Sequence, residues 1–313
     1  MATLLTFLGR TLYQHRPFNE VDEAHIRRVS DGAPVAGSAN PGVRVIPGFV
    51  AANELDEVAS CARELLERYG RSHLRPRDKA FFEGQMSHLT KSERPFMNAE
   101  RVTGRFERPD QPLAPWGHGD EFDVDLLPDV LRKLAERARA SPLALGPLRD
   151  VTINRRRDGY FRLDPHLDPA KDGPNVCIVG LLSDTVLTLS KVGPPDSTTC
   201  DQEAVSMHSW DPEDLDVLAE IGCLVHLSGR ARTELHHGIR LGVSRRQLSE
   251  AGVDVDGDAT LYDWWGAPAR PIKRNDERIS IVFAFGDPYL PIGEWVVAGL
   301  SEGLFEAFCA LFS

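Results

Sequence analysis

The sequence predicts an α+β protein, in which N-terminal helices pack on one side of a jelly-roll core built from short antiparallel strands. Two observations predict it. Beyond Gly146 the chain breaks into short β-rich runs, Val151–Asn154, Cys177–Leu182, Val186–Ser190, Cys223–Leu227, Thr233–His237 and Arg278–Phe285, separated by Gly, Pro and Asp clusters. Ahead of them lie two stretches with apolar residues at helical spacing.

Residues 1–42 read as an arm and linker. The first 19 residues hold no acid and carry Arg10 and Arg16 among apolar residues, as an amphipathic arm does; a mitochondrial presequence is the alternative. Residues 20–42 are polar and rich in Gly and Pro, which predicts a linker. Val43 to Phe49 reads as a short strand. The first helix follows, with Asn53 as N-cap, an apolar face running from Leu55 to Tyr69, and Gly70 as its stop.

Residues 71–120 show neither helical nor strand period and predict long loops or short strands lying over the core. Pro128 suits the first residue of a second helix, which presents Val130, Leu131, Leu134, Ala135 and Ala138 on one face and ends near Ser141. One domain is expected over 43–288: an N-terminal extension to 145, then the jelly roll, interrupted by an insertion at 241–276. Residues 289–313 read as a C-terminal amphipathic helix, because Glu294, Glu302 and Glu306 interrupt its apolar run.

Composition narrows the partners. With 313 residues, 42% of them hydrophobic, the chain can fill a core of its own and is expected to be a monomer. A formal charge of −11 repels phosphate backbones, so contact with nucleic acid would need a local basic patch. Five scattered cysteines without a Cys-x-x-Cys pair suit a reducing compartment, cytoplasmic or nuclear, with the mitochondrion as the alternative. No apolar run reaches the ~18 residues that a membrane span needs.

The chemistry is concentrated in His166-Leu167-Asp168. Alternate residues of an extended segment point the same way, so an imidazole and a carboxylate can reach one ion. A third ligand must come from a distant strand, and His237 lies 69 positions beyond Asp168. Two histidines and one carboxylate form the facial triad of oxygen-activating Fe(II) sites, which leaves positions open for co-substrate and O2. Two alternatives stand beside this set. His118-Gly119-Asp120 repeats the triplet spacing in a loop-like stretch, and His236 competes with its neighbour, since only one of the two can face inward.

These residues carry a resemblance. Ile153-Asn154, Gly159, Leu163-x-x-His166-x-Asp168 and Ile178 to Ser183 resemble the AlkB-like 2-oxoglutarate- and Fe(II)-dependent dioxygenases. So do Gly222 to Arg232, His236-His237-Gly238-Ile239 and the run Arg278-x-Ser280-x-Val282-Phe283, and the resemblance covers about residues 43–286. It implies a double-stranded β-helix, cupin-like in form, that uses Fe(II), 2-oxoglutarate and O2, with ascorbate as reductant. It implies His166, Asp168 and His237 as metal ligands, and Arg278 as the partner of the distal carboxylate of 2-oxoglutarate. Asn154, Tyr160 and Ser280 would then lie beside the co-substrate. One departure matters: the family's Arg-x-Asn-x-Thr-x-Arg reads Arg278-x-Ser280-x-Val282-x-Ala284, so its second arginine is missing.

The expected activity is oxidative N-demethylation of an alkylated nucleic-acid base. Between Arg71 and Arg108, nine Lys or Arg stand against five acids, a basic island on an acidic chain. The resemblance places a nucleotide-recognition lid there, suited to a single-stranded or flipped methylated base. Phe81, Phe82, Phe96, Phe106 and Trp116 could stack on the base or anchor loops to the core. Arg155-Arg156-Arg157 adds positive charge, or is a solvated turn. The alternatives are a protein side-chain hydroxylase or demethylase of the same family and a non-catalytic jelly-roll binding module. Asp254-Val255-Asp256-Gly257-Asp258 mimics a calcium loop, but Trp265 stands where a Glu ligand is needed, so a turn is expected.

Overall fold

The computed structural model describes residues 24–29, 35, 39–72, 99–106, 112–157, 163–191, 213–240, 242–250, 252–255, 261–265 and 270–289. The expected N-terminal arm, the C-terminal helix, Tyr160, most of the basic island and most of the calcium-like run lie outside them.

In chain order the strands are β1 (Ile26–Arg28), β2 (Val43–Ile46), β3 (Arg71–Ser72), β4 (Ala99–Val102), β5 (Leu148–Arg157), β6 (Leu163–His166), β7 (Asn175–Leu181) and β8 (Thr185–Ser190). They continue as β9 (Leu215–Ala219), β10 (Leu224–Leu227), β11 (His236–Ile239), β12 (Val243–Ser244), β13 (Leu261–Trp265), β14 (Arg270–Lys273) and β15 (Glu277–Phe285). The α-helices are α1 (Leu55–Tyr69), α2 (Asp129–Ala140), α3 (Gly229–Thr233) and α4 (Arg245–Glu250).

Two antiparallel sheets face each other. One runs β2-β10-β7-β15-β5-β4-β3 and the other β1-β9-β8-β11-β6. Strands β2 to β5 lie in the first sheet; the chain crosses to the second at β6, returns at β7, crosses again for β8 and β9, returns at β10, crosses at β11, and after β12–β14 ends with β15 between β7 and β5 of the first sheet. That winding is a jelly roll.

Strand alternation divides the core into two layers. On β15, Ile279, Ile281, Phe283 and Phe285 join Val58, Ala62, Leu65 and Leu66 of α1 and Leu131, Leu134, Ala135 and Ala138 of α2 in one apolar cluster. The helices therefore pack on one side of the core, as predicted, and the structure makes that side the outer face of the larger sheet. A second cluster fills the space between the sheets, with Ile26, Val45, Ile178, Leu189, Val217, Val225 and Ile239, and Val282 packs against it. Arg278, Ser280, Val282 and Ala284 thus share the inner face of β15.

Local details depart from the sequence reading. Glu54, not Asn53, is the N-cap of α1, with no side-chain cap bond. Its carboxylate accepts from the Ala51 N–H at 3.0 Å and is gripped by both terminal nitrogens of Arg137 on α2, at 2.8 and 2.7 Å. Pro128 caps α2 from outside rather than opening it. The stretch read as a linker contributes β1, whose Ile26 is fully buried, and the insertion carries α4 and a small sheet, β12-β13-β14.

Candidate metal centre

His166 is the last residue of β6, and His237 lies in β11 beside it. Antiparallel register makes the two direct cross-strand partners, with ring centroids 4.3 Å apart. Asp168 follows two residues beyond β6. Its Oδ1 is 3.6 Å from His166 Nε2 and its Oδ2 is 3.8 Å from His237 Nε2. These gaps are too wide for hydrogen bonds but suit donors around one ion, each about 2.0–2.2 Å from it. A donor atom from each of the three residues lies within 4.8 Å of the others.

The trio is open on one side. The His166 side chain is 37% exposed, against 16% for Asp168 and 7% for His237, so a ligand would enter past His166. Burial pushes the His237 imidazole down to about 4, against the pull of the Asp168 carboxylate, and leaves a neutral ring able to ligate at neutral pH. Burial would raise Asp168, but the His237 and His166 rings and the Arg232 guanidinium outweigh it and hold the carboxyl below the usual range. Asp168 and His237 therefore carry the protonation states a divalent metal requires.

Asp168 does not reach the site by strand alternation, because β6 ends at His166. Pro169 restricts Asp168 to extended backbone, and a short 3-10 turn, Ala170–Asp172, follows. Arg232, at the end of α3, fixes this segment from below: Nη1 donates to the Asp168 carbonyl at 3.0 Å and Nη2 to the Pro169 carbonyl at 2.7 Å. Gly173 closes the turn at φ +93°, where a Cβ would lie 2.5 Å from the Phe285 carbonyl oxygen, so only glycine fits. In the sequence Arg232 had no role of its own, only a place in the run Gly222 to Arg232 that carries the resemblance.

Of the competing sets, neither converges. His236 pairs with Ser190 in the ladder while its neighbour His237 joins the trio. The second triplet is split, with His118 Nε2 3.0 Å from Asp172 Oδ1 and Asp120 accepting from Arg149 at 3.0 Å.

The residues expected beside the co-substrate fall on facing inner positions. Ser280 is opposite Asn154 on one side and Gly180 on the other. Gly180 leaves that face without a side chain; a Cβ there would meet only the Glu220 carbonyl oxygen, at 3.7 Å. Asn154 Oδ1 accepts from Arg101 Nε at 3.2 Å. Arg278 is 5% exposed, and its side chain has no hydrogen bond or ion pair among the described residues. Burial lowers its guanidinium to about 10 even with Asp263 in the vicinity. A buried cation without a counter-ion is costly, and an incoming carboxylate would relieve it.

Elsewhere the structure spends charges internally. Arg155 and Arg157 lie in β5, not in a solvated turn, and both approach Glu100. Trp116 is fully buried and donates from Nε1 to the Val151 carbonyl at 3.0 Å, which makes it a core residue rather than a stacking platform. Phe106 is 71% exposed; Phe81, Phe82 and Phe96 lie outside the described residues. His118, Asp150 and Asp172 form a second group of potential metal donors, but Arg105 Nη2 already bridges the two acids, at 2.8 Å to Asp150 and 2.5 Å to Asp172.

No family model matches the sequence, and no curated protein matches it. Among solved structures, the chain is similar to OsALKBH1 (14% identity over 78% of this chain and 98% of that one, TM-score 0.42). It is also similar to HygX from Streptomyces hygroscopicus with nickel, 2-oxoglutarate and hygromycin B bound (17%, 80% and 85%, TM-score 0.41). A third is a prolyl hydroxylase from Trichoplax adhaerens in complex with a peptide fragment (10%, 79% and 84%, TM-score 0.39).

Proposed function

We propose that the protein is a 2-oxoglutarate-dependent non-haem Fe(II) dioxygenase. The observation that carries this reading is the meeting of His166, Asp168 and His237 at an opening of the jelly roll whose inner face also holds Arg278, buried and with no ion pair among the described residues. A structural metal site closes its coordination shell with protein ligands, whereas three ligands with one exposed side leave room for reactants. When bound, Fe(II), 2-oxoglutarate and O2 would supply oxidative decarboxylation to succinate coupled to hydroxylation of a substrate C–H bond; on an N-methyl group this ends in formaldehyde and the free amine.

The chain's own residues bind and orient. His166, Asp168 and His237 would hold the metal, and Arg278 would take the distal carboxylate as a planar two-pronged donor. Ser280 and Asn154, on adjacent strands, would contact the body of the co-substrate, with Tyr160 as a further contact. Val282 and the apolar residues between the sheets keep water from the buried end.

For the substrate, the basic island and the exposed Phe106 support a methylated single-stranded or flipped base. A protein side chain is the second reading, favoured by the net charge of −11, by the pairing of Arg105 with two acids and by the burial of Trp116. The deciding experiment follows succinate formed from 2-oxoglutarate with Fe(II) and ascorbate, for wild type and for His166→Ala, Asp168→Ala and His237→Ala. Turnover by wild type and none by the variants is expected; turnover indifferent to all three substitutions ends the proposal. Stimulation by methylated oligonucleotides that falls steeply with salt selects the base, and salt-insensitive stimulation by methylated peptides selects the protein substrate.

A further inference from the structure

The turn that follows Asp168 is held at both ends, and at Asp172 His118 Nε2 also lies 3.0 Å from Oδ1. Arg232 grips the carbonyls of Asp168 and Pro169, and Arg105 reaches its far end at Asp172. Arg105 comes from a distant segment, just after β4, and its backbone is itself fixed: its N–H donates to Thr103 Oγ1 at 3.1 Å. The Thr152 hydroxyl lies 3.3 Å from Thr103 Oγ1 and 2.9 Å from Asp150 Oδ2, the atom that Arg105 Nη2 meets at 2.8 Å. These contacts close a ring through Thr103, Thr152, Asp150 and Arg105. Gly104 seats the segment against Gly117, where a Cβ would lie 1.9 Å from the Gly117 carbonyl oxygen. The guanidinium is therefore delivered in a fixed place, with its side chain 18% exposed and both carboxylates almost fully buried.

We infer that Arg105 is a positioning residue for the metal centre, setting the Asp168 carboxylate by tying Asp172 to Asp150 on β5. The inference rests on the dioxygenase reading of the trio. Two buried acids so close would repel each other and loosen the turn; one cation between them turns repulsion into a tether. An Asp168 carboxylate held at both ends of its segment keeps its place before a metal arrives. Outer partners of metal ligands commonly change affinity about 10–100-fold.

The β15–β5 ladder offers a second way to supply the same charge. Ala284 is the direct cross-strand partner of Asp150 and lies on the inner face of β15. Directly opposed Cβ atoms are about 4.5–5.5 Å apart, so an arginine at 284 would reach the Asp150 carboxylate.

The test titrates metal-free protein with Co(II), reading affinity and the visible absorption that reports coordination geometry. Wild type, Arg105→Met, Arg105→Lys, Asp172→Asn and Arg105→Met/Ala284→Arg are compared, each with a melting curve of the metal-free form. Arg105→Met is expected to bind Co(II) about 10–100-fold more weakly with an altered spectrum, Arg105→Lys to fall between, and the double variant to recover most of the loss. A folded Arg105→Met with wild-type affinity and spectrum overturns the inference. Should that variant not fold, Asp172→Asn decides: unchanged Co(II) binding overturns the tether and weakened binding supports it. Wild type that binds no Co(II) at all overturns the dioxygenase reading itself, whereas wild-type binding with indifferent variants overturns only the role of Arg105.

Discussion

His166 and His237 face each other across the β6–β11 ladder, 4.3 Å between ring centroids, although 70 residues separate them in sequence. The ladder therefore supplies two ligands with relative positions set by backbone hydrogen bonds, and only Asp168 depends on a turn.

Metal should stabilise the fold through these three side chains. Mn(II) at a hundred times its dissociation constant is worth about 2.7 kcal/mol, enough to raise the melting temperature by several degrees. Asp168→Asn should abolish that rise while leaving the metal-free melting point close to wild type. Differential scanning fluorimetry with and without Mn(II) reads both quantities.

Arg278→Met should separate binding from folding. Removing a buried cation that has no counter-ion among the described residues should leave the metal-free melting point unchanged or higher. The KM for 2-oxoglutarate should rise by about 30-fold or more, about 2 kcal/mol of lost carboxylate pairing. A lowered melting point with unaltered KM would assign Arg278 a purely structural role.

The Glu54–Arg137 pair joins the start of α1 to α2 and gives a pH signature. The Arg137 guanidinium and the Ala51 N–H hold the Glu54 carboxyl down to about 2, from an ordinary value of 4.5. A depressed folded-state value contributes stability above about 4.5 that is lost as pH falls towards 2. The stability difference between wild type and Glu54→Gln should thus be constant from pH 7 to about 5 and shrink below 4.5, as acid denaturation curves would report.

Trp116→Phe keeps the ring but deletes the donor to the buried Val151 carbonyl. The expected cost is about 1–3 kcal/mol in urea unfolding, with the KM for 2-oxoglutarate unchanged. Loss of substrate-stimulated turnover without loss of stability would instead make Trp116 a substrate contact.

How much was legible in the sequence follows from what local pattern can encode. The helices were legible because one face of each is buried: α1 and α2 carry Leu65, Leu66, Leu131 and Leu134 at helical spacing against the sheet. Strands β7, β8, β10 and β15 were legible because both their faces are covered, which writes continuous apolar runs. Strand β9 was not, since Asp216 sits at its centre. That acid is buried and is satisfied by Thr188 of β8 and by Arg240, one residue past β11, which the sequence cannot align with it. Strand β1 has three residues, too few for a period. At the candidate centre, the His-x-Asp spacing pointed to His166 and Asp168, although Asp168 arrives by a turn beyond β6 and not by strand alternation. No spacing pointed to Arg232 and Arg105, because their partners are two carbonyls and two acids gathered from other segments.

Strand β1 also settles what borders the smaller sheet. Ile26, Arg27 and Arg28 pair with Val217, Asp216 and Leu215, so this short ribbon from the N-terminal region seals the side of β9 that would otherwise offer free amide and carbonyl groups. Cutting the chain after residue 30 would bare that border and empty the slot of Ile26, and such trimmed protein should self-associate through strand addition at β9 even with the metal ligands intact.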